Sequence, residues 1–361
     1  MKMKSMTNIH HIFAAGLLPL LVASYAGNVQ AGLADPVGIS QATVPGNTTA
    51  CVGTPYARPI EYTATVSSTS TSGSNTVLTV VKEASSASFP AFNNTDENED
   101  KWYIVEVLDG QAIGLIMEAV GGTGDTSITV KGVLPATFSI PANSKIGIRK
   151  SWTLSTMLGV ASASNPFGSG LTATANGVNA QVQLLNSATG GLTTYYVNAT
   201  LGAYSWRANG GASPTSPKNH APMGLGKGFV IVNRKPTPFA FNLSGDFRTA
   251  RTRLVVPANG AKTLLANPSV FNTTFTASTI PATSPTRGAS VPSAADQYGV
   301  WNTTTRAFST YKIGGTSNAN GPSAYSGSTR VNPGIDKFTS VLVTPAGTTD
   351  TVVTIAPQYT P

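Results

Sequence analysis

The sequence predicts an all-β protein built of tandem β-sandwich-like or barrel-like modules with an internal duplication, preceded by a signal peptide. Three observations carry this. Beyond residue 31, short runs rich in Val, Ile, Thr, Tyr and Phe alternate with clusters of Gly, Asn, Pro and Ser, and helical periodicity is almost absent. Charged residues make up only 11% of the chain, well below the usual quarter. Hydroxyl and amide side chains take their place, a composition common in exported β-proteins. Third, two segments recur at one spacing. Phe138-Ser-Ile-Pro-Ala-Asn143 returns as Leu254-Val-Val-Pro-Ala-Asn259, and the stretch Asn186 to Val197 returns as Asn302 to Ile313. Both pairs are offset by 116 positions (257 − 141 and 302 − 186), as expected for a tandem duplication.

The elements follow in chain order. Lys2 and Lys4 precede an apolar run from Ile12 to Ala23, and small residues follow, with Val29-Gln30-Ala31 as one candidate cleavage site and Ser24-Tyr25-Ala26 as a second. This is the layout of a secretory signal peptide, and its core is too short for a stable membrane anchor. No later run is long and apolar enough for a transmembrane helix, so the mature chain is expected to be exported to the periplasm, the outer surface or the medium. About 330 residues remain, enough for two or three domains.

An acidic β-rich unit is expected over 32–137, with strands at Glu61–Val66, Asn75–Val81, Trp102–Leu108, Ala112–Ala119 and Ser127–Val133. Asp109-Gly110 between two apolar runs marks a hairpin. A first repeat is expected over 138–253, with strands at Ile146–Arg149, Gln181–Leu185, Thr193–Asn198, Phe229–Asn233 and Phe239–Leu243. The second, 254–361, carries Arg253–Val256 at its border, then Gly299–Asn302, Ser309–Ile313, Ser340–Val343 and Thr351–Ile355. Asn143-Ser144 and Asn259-Gly260 supply turns at equivalent points. The Pro- and Ser/Thr-rich tracts 210–217 and 279–293 read as loops.

Charge is unevenly spread. Residues 32–125 hold eleven acids against Arg58, Lys82 and Lys101, a net −8, whereas 126–245 hold nine Lys and Arg and no acid, a net +9. Opposite signs at the two ends permit electrostatic docking, within one chain or head to tail between copies. Nucleic acid is not an expected partner, because the basic residues are spaced out and the chain is exported.

Little in the sequence carries chemistry. The mature chain has one histidine, His220, and one cysteine, Cys51, so no disulfide within the chain and no ordinary zinc set can form. Gly224-Leu-Gly-Lys-Gly228 precedes a strand and lacks the Lys-Ser/Thr ending of a phosphate loop, and so reads as a tight turn. Asp96, Asn98 and Asp100 alternate like the start of a calcium loop, but Lys101 stands where the sharp-turn glycine is needed. They form a candidate site for weakly bound calcium; no other cofactor is expected. Tyr196, Tyr204, Trp206 and Arg207 form a candidate ligand platform, since flat rings beside polar groups can hold sugars. Tyr195 and Tyr196 must face opposite sides of a strand, which places at least one in a core. Packing is the reading favoured for this cluster, as for Trp152, Trp301 and Tyr311.

Asp35-Pro-Val-Gly38, Trp102-Tyr-Ile-Val-Glu106 leading to Asp109-Gly110, Ile148 to Leu154, Thr194-Tyr-Tyr196 to Trp206-Arg207, and Gly228-Phe-Val-Ile-Val232 together resemble an uncharacterised family of exported β-rich proteins typical of Verrucomicrobia-type bacteria. The resemblance covers most of the mature chain. It implies a surface or envelope protein and no reaction. In that family the aromatic-to-Trp-Arg segment tends to occur in both halves, whereas here Tyr311 is followed by the stretch 314–329 with no Trp-Arg. The expectation is a non-catalytic structural or adhesive protein of the envelope or matrix, its partner a second copy of itself. The alternative is a carbohydrate-binding module for surface polysaccharide.

Overall fold

Alternation of side chains across a pleated strand decides which residues enter the core. The computed structural model describes residues 37–356 except 54, 93–94, 168–179, 187–188, 201–202, 210–215, 249, 259, 268–271, 276–277, 279–295, 315–322, 327–328 and 338. The expected signal peptide and most of both Pro-rich tracts lie outside the described residues.

The chain opens with β1 (Val37–Val44), β2 (Thr48–Gly53) and the short β3 (Tyr56–Ala57). Six strands then close on themselves: β4 (Ile60–Ser72), β5 (Asn75–Lys82), β6 (Tyr103–Val107), β7 (Leu115–Thr123), β8 (Ser127–Lys131) and β9 (Lys145–Lys150). They neighbour one another in the ring β4-β5-β8-β7-β6-β9, antiparallel throughout, with β9 returning to β4. This is a six-stranded barrel. On β5, Thr76, Leu78 and Val80 are buried while Val77, Thr79 and Val81 are not. Leu78 and Val80 join Ala64, Val66, Val105, Ile128 and Ile146 in the barrel interior.

The one helix among the described residues, α1 (Leu154–Leu158), is a single turn. Thr153 caps it, its hydroxyl accepting from the Thr156 amide in a capping box. Then come β10 (Ala180–Leu185), β11 (Leu192–Thr200), β12 (Ala203–Ala208), β13 (Gly228–Asn233) and β14 (Phe239–Phe247). The last stretch holds β15 (Thr252–Val256), β16 (Thr263–Ala266), β17 (Thr273–Thr274), β18 (Gln297–Asn302), β19 (Ala307–Gly314), β20 (Ser323–Ser326), β21 (Thr329–Val331), β22 (Gly334–Ile335), β23 (Ser340–Thr344) and β24 (Thr351–Ile355).

Every strand predicted above overlaps an observed one. Strand β7, expected from Ala112, starts late, at Leu115, because the chain turns at Gly114 with φ +81. Two sheets share a strand order. One runs β12-β11-β10-β13-β2 and the other β20-β19-β18-β23-β16, continued by β21. Each has a companion antiparallel pair, β1 with β14 and β15 with β24. The hairpins β10–β11 and β18–β19 are the pair related by the offset of 116. The other repeated segment falls on unlike places: 138–143 leads into barrel strand β9, while Leu254–Val256 lies in β15. In strand order, the counterpart of the β15–β16 connection is Val44-Pro45-Gly46-Asn47, between β1 and β2.

Strand pairing therefore runs across the boundaries placed at 137 and 253. β1 and β2 pair with β14 and β13, some 200 residues on, with the barrel lying between them in the chain. Strand β9 completes the barrel from beyond residue 137. All described residues belong to one compact unit.

The two matching sheets meet back to back. Cys51, Val230, Leu264 and Trp301 form a small core between them. Gly53 and Gly228 are cross-strand partners there, and Ser340 donates its hydroxyl to the Val52 carbonyl at 3.1 Å. A Cβ on Gly228 would overlap the Ser340 side chain, and one on Gly53 would press on the Thr339 carbonyl. Glycine is required here by contact rather than by φ.

Candidate functional site

Barrel strand β6 is buried on both faces. Tyr103, Val105 and Val107 face the interior, so alternation turns Glu106 outward, toward the strands that cover the barrel. Glu106 is only 3% exposed. Two arginines answer it. Arg149 of β9 donates from Nε to Glu106 Oε2 at 2.9 Å and from Nη2 to the same oxygen at 2.8 Å. Arg248, just after β14, donates from Nε to Oε1 at 3.1 Å, and its Nη2 also reaches Oε1. Arg149 further donates to the Arg58 carbonyl at 2.7 Å and meets Asp246 at 3.3 Å, and Arg248 donates to the Thr252 hydroxyl. Barrel, β14 and β15 are thus tied at one buried point. Burial pushes the Glu106 carboxyl up, but Arg248 and Arg149 outweigh it and hold the group below its ordinary range.

A second, partly exposed network joins the acidic loop to the segment before β13. Asp100 accepts from Arg58 at 2.9 Å and lies 3.5 Å from Lys150 and 4.0 Å from His220 Nδ1. Burial raises its pKa, yet the Arg58 guanidinium, with Lys150 and His220, leaves it lowered. Glu97 pairs with Lys218, and its carbonyl accepts from the His220 amide at 2.6 Å. The Asn219 amide donates to Asn98 at 2.8 Å. His220 shares a 3.1 Å hydrogen bond with Thr153, the cap of α1. The histidine with no carboxylate near it in sequence gains one through the fold.

These contacts account for the calcium-loop candidates. Asp96 accepts from the Asn98 amide at 2.8 Å, Asn98 accepts from Asn219, and Asp100 is held by Arg58. No group of three or more His, Cys, Asp or Glu able to hold a metal occurs among the described residues. The alternating oxygens serve a turn and two contacts across the chain.

The candidate platform residues sit in packed surroundings, Tyr204 the least enclosed of them. Trp206 is 0% exposed, packs on Phe167 at 5.3 Å between ring centroids, and donates its indole N–H to the Gly159 carbonyl at 3.1 Å. Tyr196 and Arg207 are cross-strand neighbours on the other face and are also buried, at 4% and 5%. Tyr204 is half-buried against the Trp206 core. Strands β11 and β12 carry these residues, and both faces of this sheet are covered, so no flat aromatic surface is offered to solvent by Trp206. Cys51 is likewise enclosed, and burial pushes its thiol up to about 12.

A feature the sequence did not signal is a pocket of about 220 Å³ where the barrel meets the two matched sheets. Its walls come from Ile104 and Met117 of the barrel, Leu184 and Met223 of the first sheet region, and Leu254 and Leu264 of the second. Gly224-Leu-Gly-Lys-Gly228 borders it and is indeed a turn leading into β13, with Gly224 at φ +70 and Gly226 at φ +72. Residues 350, 118 and 227 come together by topology alone.

Comparison with protein-family models, with curated proteins and with solved structures finds no match to this chain.

Proposed function

We propose that this chain is a non-catalytic, exported structural or adhesive protein of the cell envelope or matrix, and that it self-associates by strand addition. The observation that carries this reading is strand β1. It lies at the edge of the sheet β1-β14-β3 and has no partner on its outer side among the described residues. Its eight residues pair with β14 without a bulge, and none is charged or proline. Two of its apolar residues face solvent: Val37 is 76% exposed and Ile39 75%, while Gly38, Ser40, Ala42 and the buried Val44 face inward. Edges of this kind are normally blunted by charge, Pro or a bulge, because unpaired N–H and C=O groups template another strand. The uncharged sequence can pair antiparallel with its own copy without like-charge repulsion.

The surroundings support a scaffold. His220, Cys51 and Trp206 are each engaged in packing or structural hydrogen bonds. The acidic loop is paired within the chain through Arg58, Lys150 and Lys218. Those contacts favour the intramolecular form of electrostatic docking over a head-to-tail one. The resemblance noted above agrees with export. The carbohydrate reading loses its main support, since its aromatic residues are buried.

The test is light scattering on the wild-type protein and on Ile39→Lys. The expected result is a dimer or larger species for wild type and a monomer of unchanged melting temperature for the variant. A wild-type monomer at tens of micromolar would sink the self-association.

A further inference from the structure

We infer that the pocket between the barrel and the two matched sheets binds a small amphiphilic anion, a carboxylate or phosphate on an apolar body of about one to two aromatic rings. Three features of the pocket argue for it. Its walls are slightly more apolar than polar, and small-molecule sites combine apolar lining with a few placed polar groups. Its volume of about 220 Å³ exceeds the ~150 Å³ of a cavity that takes up benzene. Its net charge is positive, with Lys131, Lys227 and Lys262 in the lining against Glu118 and Asp350. Of the lining acids, Glu118 lies 3.6 Å from Lys131, and Asp350 accepts from the Ala258 amide at 2.9 Å. Lys227 and Lys262 line the same pocket, are exposed, and meet no acid among the described residues.

Two further groups fit a polar ligand atom. Thr263, 6% exposed, has no hydrogen-bond partner for its buried hydroxyl, and the indole N–H of Trp102 is likewise buried and unpartnered. Both residues line the pocket. Buried polar groups left unpaired are uncommon, and a ligand oxygen reaching this wall on a small side-chain movement would satisfy them. A divalent cation would meet two lysines, and a neutral sugar would leave them unanswered. The inference is independent of the scaffold reading, since a monomer could bind and an assembling protein could fail to.

The test is calorimetric titration of the full exported chain with 2-naphthoate, 2-naphthyl phosphate and the neutral 2-naphthalenemethanol. The anions are expected to bind with a Kd at least about tenfold below that of the alcohol, through charge pairing with the two lysines. The double variant Lys227→Glu/Lys262→Glu is expected to raise the anions' Kd about tenfold or more with the melting temperature unchanged, since both side chains are exposed. Leu184→Trp, which fills the pocket and spares the lysines, is expected to remove binding of all three. Preference for the carboxylate or for the phosphate ester identifies the source of the ligand and supports the site either way. Absence of binding, equal binding of the alcohol, or unaltered binding by either variant would overturn it.

Discussion

Glu106 takes a negative charge into a place that is 3% exposed, and two arginines and their hydrogen bonds make this tolerable. Removing one partner leaves the others buried and unanswered. Glu106→Gln is therefore expected to cost about 3–5 kcal/mol of folding stability in urea unfolding. The pH dependence follows from the lowered carboxyl. Its folded pKa lies below the ordinary 4.5, so its stabilisation is complete above that value and is lost as pH falls through the folded pKa. Wild type should lose stability more steeply than Glu106→Gln as acid is added below pH 4.5; parallel curves would refute the assignment. Trp206 makes a contrasting case. Its truncation to Ala empties a site that is 0% exposed and should cost about 3–5 kcal/mol by thermal or urea unfolding, a loss of stability rather than of any one ligand.

At the scale of elements, the glycines at the contact of the two matched sheets decide how closely they approach. Gly53 and Gly228 are paired in register, and Ser340 sits where a Cβ on Gly228 would be. Gly228→Ala should force the sheets apart and cost about 1–3 kcal/mol, because overpacking a close contact strains both sides. An unchanged melting temperature would mean that the sheets slide freely. The strands themselves were legible. Runs such as Thr351–Ile355 and Asn75–Val81 carry both β-branched residues and the turn formers that end them. Strands β1, β2, β3, β12, β16, β17, β20, β21 and β22 were not. β1 reads Val-Gly-Ile-Ser-Gln-Ala-Thr-Val, with Val37 and Ile39 on the exposed side and only Val44 of its larger apolar residues buried, so its pattern does not mark the core face. The short helix α1 is set by its Thr153 cap rather than by any periodic pattern.

At the scale of the whole molecule, the split of charge along the chain is largely answered within one compact unit. Glu97, Asp100 and Glu106 of the acidic stretch 32–125 meet Arg149, Lys150, Lys218 and Arg248, all from beyond residue 126. Assembly through β1 should for that reason change little between low and high salt, because backbone pairing and apolar contact are not screened. A species that dissociates as salt rises would point instead to docking between charged surfaces of separate copies.

The sequence by itself determined the all-β class, the positions of most strands, the turn at Gly224–Gly228 and the buried fate of most aromatic residues, because alternation and turn chemistry are local. Only the tertiary structure decided which strands meet. It closed the barrel with β9, returned β13 and β14 to β2 and β1, and set Glu106 between Arg149 and Arg248, more than forty residues away in the chain. It also made the pocket, whose lysines and apolar walls come from three separate parts of the chain. Local physics selects a strand and its faces. Which edge that strand pairs with, and which charges thereby become neighbours, is settled only by the free energy of the whole packed arrangement.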